Sequence, residues 1–167
     1  MGLFKYTTYI IFISLFIFQC NKDDDSDSDP IKYLNGVPSG AIVPLNKRDE
    51  VLTGDPNGVN GQELAGPLIW WTLSESTYLD CSGKPLGDAF ENIEFSFGTD
   101  GNLYSRFVGT SMENREASWK WSNSAKEYII YNETIFIITE LNNSVLTYAS
   151  NQFYNDVCVI TYMRFTK

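Results

Sequence analysis

Histidine is absent from all 167 residues. That removes Ser-His-Asp and Cys-His catalysis and every histidine-containing zinc site. Cations are scarce as well: 12 Lys and Arg stand against 21 Asp and Glu, for a formal charge of −9. A phosphate backbone needs clustered Lys and Arg, so no nucleic-acid partner is expected. No Gly-rich loop follows a strand-like run and opens a helix, so a phosphate-cradling turn is missing. No cofactor and no metal site is predicted. The length suits one domain with a real core rather than two. What the chain has in abundance is aromatic surface: 10 Tyr, 11 Phe and 4 Trp.

Residues 1–19 read as a secretory signal. Lys5 is the only charge before an Ile-, Phe- and Leu-rich run from Tyr6 to Phe18. A membrane-spanning helix needs about 20 apolar residues, and this run is shorter. It stops at Cys20, and Asn21, Lys22 and an Asp-rich stretch from Asp23 to Asp29 follow at once. An apolar run ending at a Cys resembles a bacterial lipoprotein signal peptide, with Ile17-Phe18-Gln19-Cys20 as its lipobox. The resemblance implies cleavage before Cys20 and acylation (a palmitate-type modification) of its thiol and new amino group. Each buried methylene contributes about 0.8 kcal/mol, and two or more acyl chains hold a protein stably on a bilayer. The membrane partner is then the lipid on Cys20, and the expected location is the outer membrane. The Lys-then-acidic run resembles the surface-export signal of some such lipoproteins; its alternative is a solvated, self-repelling spacer.

Residues 20–64 read as an acidic and Pro/Gly-rich flexible tether. Pro30, Pro38, Pro44 and Pro56 recur among Gly36, Gly40, Gly54, Gly58 and Gly61, and no apolar period persists. Asp55-Pro56-Asn57-Gly58 is a turn signal. Its faint likeness to the opening of a calcium loop fails at Val59 and Asn60, where a ligand and a glycine are needed.

From Pro67 the pattern changes to strand-like runs near 68–76, 91–97, 102–108, 115–121, 127–132, 134–140, 144–150 and 156–166. The clearest hairpin alternates Ile93, Phe95 and Phe97 with Glu94 and Ser96, then turns at Gly98-Thr99-Asp100-Gly101. Without long crossovers, neighbouring strands pair antiparallel. An all-β, eight-stranded antiparallel up-and-down meander closing into a barrel removes both exposed edges; a two-sheet sandwich is the alternative. The domain, residues 65–167, is expected to be monomeric, with its longest loops at 77–90 and 109–114.

Cys81 and Cys158 remain once Cys20 is acylated. In an exported protein they are a candidate disulfide, and closure of the meander brings first and last strands together. The alternative is two unrelated thiols, Cys158 buried as a small hydrophobe.

Residues 67–167 resemble the lipocalin-like domains of bacterial lipoproteins. The resemblance rests on Trp70-Trp71-Thr72-Leu73-Ser74 with Cys81 after it, Ile93-Glu94-Phe95 with Asp100-Gly101, Trp119-Lys120-Trp121 before Tyr128-Ile129-Ile130, Ile138-Thr139-Glu140-Leu141, and Thr161-Tyr162-Met163-Arg164. It implies an eight-stranded barrel, a small hydrophobic ligand, and a structural cation–π contact of Arg164 with Trp71 or Trp70.

Candidate barrel-interior residues are Phe95, Phe97, Phe107, Trp119, Trp121, Tyr128, Ile130, Phe136 and Tyr148. Two functions compete for them. A ligand-binding module requires a cavity of at least about 300 Å³. A fully packed, non-catalytic structural or interaction module requires none, and would use loops or an apolar patch. No enzyme is expected: Glu91, Glu94, Glu116 and Glu140 read as polar-face residues, and nothing in the sequence brings Glu94 and Glu116 together as an acid–base pair.

Overall fold

In a computed structural model of the chain, residues 34–57, 66–88, 92–154 and 157–167 are described. The proposed signal, Cys20 and the acidic run lie outside them. Nine strands occur among the described residues: β1 Trp71–Asp80, β2 Pro85–Asp88, β3 Ile93–Phe97, β4 Asn102–Phe107, β5 Asn114–Trp121, β6 Tyr128–Tyr131, β7 Thr134–Leu141, β8 Val145–Tyr154 and β9 Val157–Thr166. They form one antiparallel meander, and β9 returns to pair with β1. The ladder between β1 and β9 runs from Thr72↔Thr166 to Asp80↔Val159, so the sheet is closed. Eight strands make this barrel, which is consistent with a lipocalin-like fold. The short β2 is an addition that pairs only with Thr77, Tyr78 and Leu79 at the far half of β1.

Register shifts interrupt the ladders at Leu73/Glu75, Leu103/Tyr104 and Ile138/Glu140. Such bulges bend and twist a strand, which lets a sheet of this width curl onto itself. The first strand begins three residues later than the sequence indicates and runs on to Asp80. The segment expected as a long loop over 77–90 instead continues β1 and turns back as β2. Asp80 makes that turn: its carboxylate accepts hydrogen bonds from the backbone N–H of Ser82 and of Lys84, both at 2.9 Å.

The larger difference lies before the barrel. Residues 34–57, expected as part of a flexible tether, are packed on it. Leu34 and Val37 cover the outer face of β1, β8 and β9 at Leu79, Ala149 and Ile160. The chain then runs parallel to β7, with backbone hydrogen bonds from Gly40 N to Thr139 O at 2.9 Å and from Val43 N to Leu141 O at 2.9 Å. A short helix α1, Arg48–Thr53, follows. Its Val51, Leu52 and Thr53 are buried in the end of the barrel where β1 starts and β9 finishes. Gly54, at φ 87°, closes the helix in the left-handed conformation that glycine tolerates best. The segment lacks a repeating apolar pattern because it contributes single side chains at separate points. That is why its composition reads as linker.

α1 is fastened to several strands at once. Trp71 Nε1 donates to Leu52 O at 3.0 Å, and Trp121 Nε1 donates to the Asp49 carboxylate at 2.8 Å. Lys126 pairs with Asp49, Arg48 donates to the carbonyls of Ala125 and Lys126, and Lys167 Nζ donates to Val51 O at 3.1 Å. The helix is therefore the floor of the barrel. At the opposite end no helix lies among the described residues.

Candidate functional site

Alternation along each strand decides which side chains enter the barrel. Phe95, Phe97, Trp119, Phe136 and Tyr148 do so as expected, and belong to the central apolar cluster. Trp121 reaches it from the floor and is tied to Asp49. Phe107 shares their face, through its pairing with Ile93, but sits at the end away from α1 and is 65% exposed. Tyr128 and Ile130 do not point inward. Ile129 pairs with Phe136 and is fully buried, so its two neighbours face out. A one-residue error in register reverses every side chain of a strand, and in Tyr128-Ile129-Ile130-Tyr131 apolar residues on both faces hide the parity. The inward aromatic that the sequence reading missed is Tyr131.

Several of the inward rings touch one another. Phe97 meets Trp119 edge-on at 5.3 Å between ring centroids, and Tyr131 stacks on Phe136 at 4.2 Å. Phe136 meets Tyr148 at 5.0 Å, and Tyr148 meets Phe165 at 5.2 Å. These side chains pack together in the central apolar cluster. Tyr131 and Tyr148 also share a hydroxyl–hydroxyl hydrogen bond of 3.2 Å. Burial pushes the Tyr131 phenol up to about 12 and that of Tyr148 well above its ordinary value, so both stay protonated.

A cleft of about 470 Å³ opens beside this cluster, lined by Ser118, Trp119, Lys120, Ile130, Tyr131, Asn132 and Glu133. It exists because β5 outruns its neighbour. β6 pairs only with Trp119, Lys120 and Trp121, and the chain then turns at Asn132-Glu133 into β7. Residues 114–118 of β5 thus have β4 on one side and no β6 residue on the other. The turn is a two-residue hairpin with positive φ at both positions, 48° at Asn132 and 63° at Glu133. Asparagine tolerates that geometry and glutamate does so poorly. Glu133→Gly is therefore expected to raise stability by about 0.5–1 kcal/mol, read as a higher urea midpoint at unchanged slope.

The expected contact between Arg164 and Trp71 does not form. Arg164 pairs across β9 with Glu75 and Thr147, on the outer face, and donates to Glu140 at 3.2 Å. Trp71 is on the inner face, where Lys167 Nζ lies 4.2 Å above its ring. Arg106 stands 4.0 Å over Trp70 and bonds Glu94 at 2.6 Å. Cationic partners for both tryptophans are thus present, but strand parity gives them to other residues. Cys81 and Cys158 are bonded, with Cα atoms 5.5 Å apart. Cys81 follows directly on the Asp80↔Val159 pair, which places it opposite Cys158.

Glu94 pairs with Arg106, and Glu116 accepts a hydrogen bond from Ser105. Among the described residues no group of three or more His, Cys, Asp or Glu is arranged to hold a metal ion. Compared with protein-family models, with curated proteins and with solved structures, the chain has no match.

Proposed function

We propose that the chain is a lipid-anchored cell-envelope protein, acylated at Cys20, whose barrel binds a small molecule without catalysing its conversion. The observation that carries the binding reading is the cleft of about 470 Å³ whose lining includes Trp119 and Tyr131. It exceeds the size of about 300 Å³ at which concave sites begin to hold small ligands. Its lining combines aromatic rings with hydroxyl, amide and charged groups, the usual mixture of contact area and orienting polar atoms. The anchoring reading rests on the apolar run that ends at Cys20 and on the acidic stretch after it. The absence of histidine supports a non-catalytic role.

A packed interaction module is the second reading. The mutual contacts of Phe97, Trp119, Phe136, Tyr148 and Phe165 favour it, as does exposed apolar surface at Met112 in the β4–β5 connection, 74% accessible. Native mass spectrometry of the protein extracted from its own cells separates the two. A reproducible small adduct is expected, and a bare chain in every preparation sinks the binding reading. The anchor is tested independently. Cys20→Ser is expected to move the protein from the membrane fraction to the soluble fraction with an unchanged melting temperature; retention on the membrane refutes acylation at that residue.

A further inference from the structure

We propose that the open edge of β5 at Ser118, in the cleft beside the β6–β7 turn, takes a short extended peptide as an added antiparallel strand. The inference rests on the small-molecule reading above and names the class of ligand.

The direction of the backbone carries it. The N–H of Trp119 donates to Gly101 O at 2.8 Å, toward the start of β4. Alternate residues of an antiparallel strand turn their N–H and C=O groups to opposite neighbours. Ser118 and Lys120 therefore turn theirs away from β4. Lys120 meets Ile130 on that side, and further along Ser122 N donates to Tyr128 O at 3.0 Å. The ladder with β6 ends at Trp119↔Tyr131. Continued by one rung it would bring Asn132 to Ser118, but Asn132 and Glu133 form the turn into β7. The backbone of Ser118 thus faces the cleft, whose lining includes Ser118, Asn132 and Glu133.

A strand edge of this kind is a template for another extended chain. A hydrocarbon in the cleft would cover the N–H and C=O of Ser118 without bonding them, which is unfavourable. A peptide offers a donor and an acceptor at strand spacing. The edge is also short. The bulge opposite Leu103/Tyr104 falls at Glu116, between Ala117 and Arg115, and bends β5 there. That break limits the added ladder to a few rungs. They suffice for an oligopeptide and are too few for a second copy of β5 to pair along its length.

The charges orient the peptide. A chain antiparallel to β5 runs in the direction of β6, so its amino terminus starts at the turn, where Glu133 lines the cleft. Its carboxyl end leaves toward the start of β5, past the exposed Arg115. An ammonium beside a carboxylate and a carboxylate beside a guanidinium are both favourable. Lys120 stands behind the amino end, in the ladder with Ile130. Ala117 and Tyr131 pack against the central apolar cluster, so the peptide side chain opposite Ala117 is expected to be apolar.

The test is calorimetry and amide hydrogen exchange on the detergent-solubilised full chain, with empty micelles as blank. The probe is the peptide Thr-Val-Thr-Val-Thr with free ends. It is compared with its amino-acetylated form and with two forms N-methylated at alternate amides, one in each frame. The free peptide is expected to bind saturably and to slow exchange of the Ser118 amide. A strand presents every second amide to its neighbour. One N-methylated frame should therefore bind about tenfold more weakly, and the other like the parent. Acetylation should weaken binding severalfold, and Glu133→Gln, a change in an exposed turn, should erase that difference. Equal binding of the two N-methylated frames, or unchanged exchange at Ser118, overturns strand addition at this edge. An acetylation effect that survives in Glu133→Gln overturns the antiparallel direction. No peptide binding, where native mass spectra of the cell-extracted protein carry a small adduct, overturns the ligand class and leaves the small-molecule reading standing. No peptide binding and no adduct overturns both.

Discussion

Removing the bridge between Cys81 and Cys158 is expected to lower stability by about 4 kcal/mol. The bridge closes a loop with a sequence separation of 77. In the chain-entropy model a cross-link of that span restricts the unfolded ensemble by about that amount. Its position makes the loss selective. The bond joins the far end of β1 to the start of β9, and these strands form the seam that closes the barrel. The seam has a long ladder of its own, from Thr72↔Thr166 to Asp80↔Val159, so the native structure is expected to survive at room temperature. Cys81→Ala with Cys158→Ala should therefore give a folded protein with a much lower urea midpoint and an unchanged far-ultraviolet spectrum. The midpoint of the wild-type protein should fall equally when reductant is added. A double variant as stable as the wild type would show that the ladder alone holds the ends together.

Most of the barrel was legible because strands report a local rule. Ile93, Phe95 and Phe97 alternate with Glu94 and Ser96 over one hairpin, and the structure pairs them with Phe107, Ser105 and Leu103 as that alternation requires. Closure was legible for a second reason: a meander that stays open leaves two edges, and a candidate cysteine pair near its two ends suits their meeting. The rule fails where both faces of a strand are apolar. At Tyr128-Ile129-Ile130-Tyr131 the outer residue Ile130 carries no polar mark, so the inward position was assigned one residue off. Reading Arg164 as the partner of Trp71 failed similarly, since the bulge at Leu73/Glu75 and the parity of β9 settle which cation reaches the ring. The candidate site was less visible than the fold. Its cleft depends on β5 being longer than its ladder with β6, which is not a property of any short window of sequence.

The floor of the barrel was not legible at all, and it carries the other large expected effect. Trp71→Ala should cost about 3–5 kcal/mol, the usual range for emptying a buried aromatic site. Trp71 is fully buried, and three separate parts of the chain converge on it. Its indole N–H holds the carbonyl of Leu52 at the end of α1, its ring lies beneath Lys167, and its backbone pairs with Phe95 of β3. That last ladder contains only Trp71↔Phe95 and Thr72↔Glu94, so β1 meets β3 through little else. Losing the ring leaves a cavity under the helix and frees α1 at the same time. Trp71→Phe separates the two contributions. It keeps most of the apolar volume and leaves the Leu52 carbonyl without its donor, for an expected loss of about 1–3 kcal/mol. Hydrogen exchange should then accelerate at the backbone amide of Gly54, which donates to Glu50 O and so reports on α1, well before it accelerates in the β8–β9 ladder. If both variants melted with the helix and the ladder exchanging together, α1 would be an inseparable part of the core rather than a floor laid against it.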